Sequence, residues 1–140
     1  MFMGIDHVGI AVKSIEEAVE LYSDTLGMPK PLDVREWPEL GIKEAQIQIG
    51  KHFLHFIEPV SGSSGFNKYL KKRGEGLHHV SVRVDNLDAL VSELESKGVS
   101  IVEKGAEGEK RWAFIHPKST KGVSIELLEI EHSEEPLAQD

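Results

Sequence analysis

The chain repeats itself. Residues 5–22, IDHVGIAVKSIEEAVELY, lie over residues 77–94, LHHVSVRVDNLDALVSEL, at a constant offset of 72. His7 falls on His79, Val8 on Val80, Ile10 on Val82, Val12 on Val84 and Ile15 on Leu87. Such a period is read before anything else, because each copy is one unit of supersecondary structure. Each copy opens with apolar and other residues in alternation, the pattern of a half-buried strand. A polar break then leads into a helical pattern. Ser14-x-x-Glu17 has the spacing of a capping box, and Gly27 marks the expected stop. The second helix is expected from about Leu87 to Lys97, ending at Gly98.

Shorter β-like runs follow each helix. EAQIQI and HFLHFIEP flank Gly50-Lys51, a hairpin signal. KRWAFIHP and GVSIELLEI flank the loop KSTK. His55 falls on Glu126 at an offset of 71, with FLHFI and SIELL matching in pattern. NKYLKKRGEG reads as a short helix and a glycine-rich linker. The expected class is α+β: two tandem βαβββ modules forming a mixed, partly closed sheet around a metal-containing cavity. A single domain of residues 1–140 would hold module one at about 4–60, a linker at about 61–76, module two at about 77–131 and an acidic tail at 132–140.

Alternation sorts the side chains into faces. Val8, Ile10 and Val12 should pack on the first helix, and His7, Gly9 and Ala11 should face the other way. Val80, Val82 and Val84 pack in the second copy, while His79, Ser81 and Arg83 face away. Leu54 and Phe56 pack, as do Val123, Ile125 and Leu127. Phe53, His55 and Ile57, and likewise Ser124, Glu126 and Leu128, do not. The face away from the helices thus collects His7, His55, His79 and Glu126. Any one of these histidines alone reads as a buried structural imidazole. Two matched pairs on equivalent strands read as ligands for one divalent metal: imidazole plus carboxylate suits Co, Zn, Mn, Ni or Fe(II). His78, next to His79, points to the opposite face; His52, His116 and His132 read as turn, loop and tail residues.

Composition excludes other classes. There is no cysteine, so neither disulfides nor thiolate sites are available. A net charge of −8 argues against a general nucleic-acid surface. No apolar run approaches the ~20 residues of a membrane span. The start, MFMGIDHVGIAV, lacks the basic region and cleavage site of a secretory leader, so a cytoplasmic location is expected.

IDHVGIAVKSIEEAVELYSDTLG, RGEGLHHVSVRVD and HPKSTKGVSIELLE resemble the methylmalonyl-CoA epimerases of the vicinal oxygen chelate (glyoxalase/bleomycin resistance/dioxygenase) superfamily. The resemblance runs over roughly residues 4–130. The first motif is general to the superfamily; RGEGLHH and HPKSTKGV are more particular to the epimerases. The resemblance implies metal ligands at His7, His79 and Glu126, with a fourth at His55, where the family more often has an amide or carboxylate. It implies an acid–base residue at Glu44, within PELGIKEA, and a second proton-accepting role for Glu126. It also implies a homodimer.

The implied reaction interconverts (R)- and (S)-methylmalonyl-CoA. A proton leaves the carbon alpha to the thioester through a metal-chelated enolate and returns on the other face. Glu44 shares an alternation face with Gln46 and Gln48, which suits a base aimed into the site. The acyl-CoA substrate carries phosphates and a carboxylate. Lys118, Lys121, Lys71, Lys72 and Arg73 are the candidate cations, and Ser119 and Thr120 the candidate hydrogen-bond donors. Two other readings stay open: a glyoxalase I-like lactoylglutathione lyase, with the same fold and enediolate chemistry, and a metal-free protein that sequesters a small ligand.

Overall fold

A computed structural model describes residues 1–60, 62 and 65–131; the acidic tail expected at 132–140, with His132, lies outside the described residues. The strands are β1 (Phe2–Ala11), β2 (Asp33–Trp37), β3 (Ile42–Ile49), β4 (His52–Pro59), β5 (Gly76–Val84), β6 (Ile101–Glu107), β7 (Lys110–Ile115) and β8 (Ile125–Ile130). The helices are α1 (Ile15–Val19), α2 (Gly65–Arg73) and α3 (Leu87–Ser96). The order is βαβββ, a helix, then βαβββ, which is the α+β class expected from the repeat. Two compact units divide the chain, one of residues 8–78 and the other of residues 1–7 with 79 onward; the division falls within β1 and within β5.

In the unit of residues 8–78, β2, β3 and β4 pair antiparallel, with Gln46 opposite His55 and Asp33 opposite Gln46. Ser14 caps α1: its Oγ accepts from Glu17 N at 3.2 Å, as the capping spacing predicts. The first helical amide, Ile15 N, donates to Glu58 Oε1 at 2.9 Å. The helix does not run regularly to Gly27. After Val19 it widens into a π-helical segment, Glu20–Thr25. Leu26 N reaches back five residues to Leu21 O at 2.9 Å. Gly27 then turns the chain at φ 78°, where a residue without Cβ is at ease. Ile10, Val12, Ile15, Ala18, Ala45, Ile47 and Phe56 form the core here, and the Tyr22 ring lies 4.8 Å from that of Phe56. This is the packing face expected of β1 and β4. In α2, the Tyr69 hydroxyl donates to Leu77 O.

The unit of residues 1–7 and 79 onward contains β5 from His79 on, then β8, β7 and β6 in that order. β5 and β8 are parallel, while β8–β7 and β7–β6 are antiparallel, so the sheet is mixed. Asn86 caps α3, accepting from Ala89 N at 3.1 Å, and Gly98 follows the helix at φ 85°. Leu87 N donates to Glu129 Oε1 at 3.1 Å, the counterpart of the Ile15–Glu58 contact at the repeat offsets of 72 for the donor and 71 for the acceptor. Val84, Leu87, Leu90, Val91, Ala113, Ile115 and Leu127 make the core. Two expectations fail at its margin. Val80 and Val82 are only half-buried, and Val123 is 47% exposed because residues 122–124 are loop rather than strand.

The sequence reading assigned no extent to β2 or β6. Every residue of β2 but Trp37 is exposed, so no apolar alternation marks it, and only pairing with β3 makes it a strand. β6 carries an irregularity between Val102 and Lys104, with Glu103 at φ 47°, which breaks the period-two pattern.

Candidate metal centre

Three of the four ligand-type residues meet inside one unit. His7 leaves β1, His79 lies on β5 and Glu126 on β8. His7 Nε2 stands 3.1 Å from His79 Nε2 and 3.5 Å from Glu126 Oε1. One ligand atom from each of the three lies within 4.8 Å of the others. His7 and His79 are each 5% exposed. Parallel pairing sets Ser81 directly opposite Glu126, and the Ser81 hydroxyl donates to Glu126 Oε1 at 2.7 Å.

This geometry fits a metal ion. Ligands at ~2.1 Å from one centre stand about 3.0 Å apart along an octahedral edge and about 3.4 Å apart along a tetrahedral one. Both measured separations fall near those values. Two imidazoles and a carboxylate are the donors that suit Zn, Co, Ni or Mn. The other side of the His7 ring is engaged by a carboxylate: Asp6 Oδ2 lies 2.8 Å from His7 Nδ1, and an ionised carboxylate accepts. The sequence reading overlooked Asp6. Its signal was an acid on the apolar face of β1, in register with Val8 and Ile10.

His55 and Glu44 belong to the other unit. His55, 7% exposed, has Nδ1 3.3 Å from Glu44 Oε1, and Gln46 Nε2 donates to the same oxygen at 2.9 Å. Glu44 is thus a largely buried carboxylate with two polar neighbours, not a solvated strand end. Its side chain is 15% exposed.

The remaining candidates lie in loops and helix ends. Lys118, Ser119, Thr120 and Lys121 form the turn between β7 and β8, with Pro117–Ser119 in a 3-10 helix. His116 Nδ1 caps that turn, accepting from Lys118 N at 3.0 Å. Ser119 Oγ accepts from Ser100 N at 3.0 Å, whereas the Thr120 hydroxyl hydrogen goes to Val123 O. Thr120 therefore shapes the loop. Lys118 and Lys121 are exposed, and Lys121 has a left-handed φ of 57°. Arg73 ends α2 with its guanidinium 5.7 Å from the centre of the Tyr69 ring, and Lys71 and Lys72 precede it in the same exposed turn. His78 packs between Phe66 and Tyr69, ring centres 4.4 and 4.8 Å away. Burial, and then the Arg73 charge, lower its pKa to about 4. It is a neutral packing group.

Among the described residues no helix is long and apolar enough to cross a membrane. A family profile described as glyoxalase/bleomycin resistance protein/dioxygenase superfamily matches residues 6–116. The mouse mitochondrial methylmalonyl-CoA epimerase is 33% identical over 128 residues, covering 88% of this chain and 71% of that one. The crystal structure of methylmalonyl-CoA epimerase from Mycobacterium tuberculosis is 37% identical, with a TM-score of 0.83 over 92% of this chain and 89% of that one. A methylmalonyl-CoA epimerase in complex with methylmalonyl-CoA and ammonium is 32% identical, with a TM-score of 0.87 over 97% of this chain and all (100%) of that one.

Proposed function

The chain belongs to the glyoxalase/bleomycin resistance protein/dioxygenase superfamily and, within it, to the methylmalonyl-CoA epimerases, and from that premise we propose that it interconverts the two epimers of methylmalonyl-CoA with the help of a divalent metal. It is an isomerase. The observation that carries the metal reading is the meeting of His7 Nε2, His79 Nε2 and Glu126 Oε1 at 3.1 and 3.5 Å. His55 is proposed as the fourth ligand from its repeat equivalence to Glu126. A divalent Co, Zn, Mn or Ni ion, when bound, supplies Lewis-acid stabilisation of the negative charge that develops on the substrate's thioester and carboxylate oxygens.

The rest falls to the chain's own side chains. Glu44 is the proposed base that removes the alpha proton. Its neighbours suit the task, since Gln46 and His55 hold its Oε1 in a defined orientation. Glu126 is proposed to serve the opposite face of the planar carbanion, in addition to its role as ligand. Lys118, Lys121 and Arg73 are proposed to meet the phosphates and carboxylate of the acyl-CoA. Ser119 would donate a hydrogen bond, and Thr120 would hold the loop that presents them.

The test is deuterium exchange at the alpha carbon of methylmalonyl-CoA in heavy water, followed by proton NMR. Metal-replete wild type should exchange rapidly. Glu44→Ala should lose roughly 10²–10⁴-fold, the usual contribution of a positioned acid–base group. No exchange by wild type, together with turnover of the methylglyoxal–glutathione hemithioacetal, would transfer the site to the glyoxalase reaction.

A further inference from the structure

Behind the candidate ligands lies a set of buried charged groups that the proposed reaction does not use. Asp6 is 7% exposed and Arg83 is 6% exposed. Asp6 divides its two oxygens: Oδ2 stands 2.8 Å from His7 Nδ1, and Oδ1 stands 3.6 Å from Arg83 Nη1. A buried ion pair is a weak source of stability, because removing both charges from water roughly cancels their attraction. Its presence here calls for another explanation.

β5 supplies one. His79, Ser81 and Arg83 occupy alternate positions, so they share one face of the strand. The first is a candidate ligand. The second donates to the candidate ligand Glu126 at 2.7 Å. The third faces the carboxylate that engages His7. One row of side chains thus bears on all three candidate ligands. A carboxylate at Nδ1 holds an imidazole's proton on that nitrogen, which leaves the Nε2 lone pair available to a cation.

We propose that Asp6, anchored by Arg83, is the positioning residue for His7, setting its tautomer and ring orientation for a divalent cation. This rests on the metal reading given above, and the test separates the two. Long-range proton–nitrogen NMR correlations on the metal-free protein report the His7 tautomer directly. Wild type should show Nδ1–H; Asp6→Ala should move the proton to Nε2 or mix the forms; Asp6→Asn, whose amide oxygen still accepts, should retain Nδ1–H. A Co(II) titration read by visible absorption then gives affinity. Asp6→Ala should weaken binding by about 10–100-fold, with Asp6→Asn between it and wild type. Arg83→Met should weaken it in the same direction. An Nε2–H tautomer in wild type, or Co(II) affinity and spectrum unchanged in the Asp6 variants, overturns the proposal. Should Asp6→Ala fail to fold, the wild-type tautomer and the Asp6→Asn titration still decide. A wild type that shows Nδ1–H yet binds no Co(II) overturns the metal reading and leaves Asp6 no ligand to position.

Discussion

Replacing Glu129 should loosen α3 from the strand that carries Glu126. Glu129 sits three residues beyond Glu126 on β8, and its side chain is 17% exposed. Its Oε1 accepts from Leu87 N, the first amide of α3, at 3.1 Å, while Oε2 stands 3.5 Å from Arg111 Nη1. Hydrogen bonds to charged groups contribute about 1.5–3 kcal/mol, and a negative charge at a helix start about 0.3–1 kcal/mol, the two overlapping. The Arg111 contact adds little, because that guanidinium keeps Asp88 at 2.6 Å. Glu129→Ala should therefore cost about 2 kcal/mol. Glu129→Gln retains an acceptor oxygen and should cost about 1 kcal/mol. For a chain of this length each kcal/mol moves Tm by about 3–4 °C, so the expected shifts are about 7 °C and about 3 °C in calorimetry. Hydrogen exchange should quicken first in the initial turn of α3. Equal losses in the two variants, or a loss below about 1 °C in Glu129→Ala, would refute the argument that the carboxylate caps the helix. Glu58→Ala should act likewise on α1, through the 2.9 Å contact with Ile15 N.

Two further outcomes follow from local geometry. At Gly105 an added Cβ would lie 2.3 Å from Trp112 Cζ2, so the indole must withdraw by roughly 1 Å. Gly105→Ala should cost about 1–3 kcal/mol by urea unfolding, and the cost should vanish in a Trp112→Ala background; a cost that persists there would locate the strain elsewhere. Asp88 has its pKa lowered below 3.8, first by its hydrogen bond to Arg111 and then by the guanidinium charge. With the folded value below the unfolded one, its contribution is complete above about pH 4 and is lost as pH falls through the folded value. Carboxyl NMR should find the Asp88 midpoint below 3.8 in wild type and restored in Arg111→Met; an unchanged midpoint would remove Arg111 as the cause.

Much of this protein is written in local periodicity. The offset of 72 announces two modules, and alternation sorts His7 from Val8 and His79 from Val80 before any contact is known. Ser14, Gly27 and Gly98 mark helix ends because capping and positive φ are properties of a few neighbouring residues. Where the signal is not local, the reading stops. β2 exists because β3 pairs with it, and its exposed residues carry no pattern of their own. The π-helical segment after Val19 places Tyr22 with its ring 4.8 Å from that of Phe56 on β4, a long-range contact that single-helix signals do not contain.

The same division runs through the candidate centre. That His7, His79 and Glu126 share a face follows from strand period two. That His7 Nε2, rather than Nδ1, stands nearest the other two candidate ligands is a matter of tertiary structure, in which Asp6 from the neighbouring position engages Nδ1 and Arg83 from β5 stands against Asp6. Likewise Thr120 carries a hydroxyl suited to a substrate, but the fold of its loop directs that hydrogen to Val123 O. Sequence determines which chemical groups are available and on which face. Which atom of each group points where depends on rotamers and partners many residues away, and only the packed chain settles those.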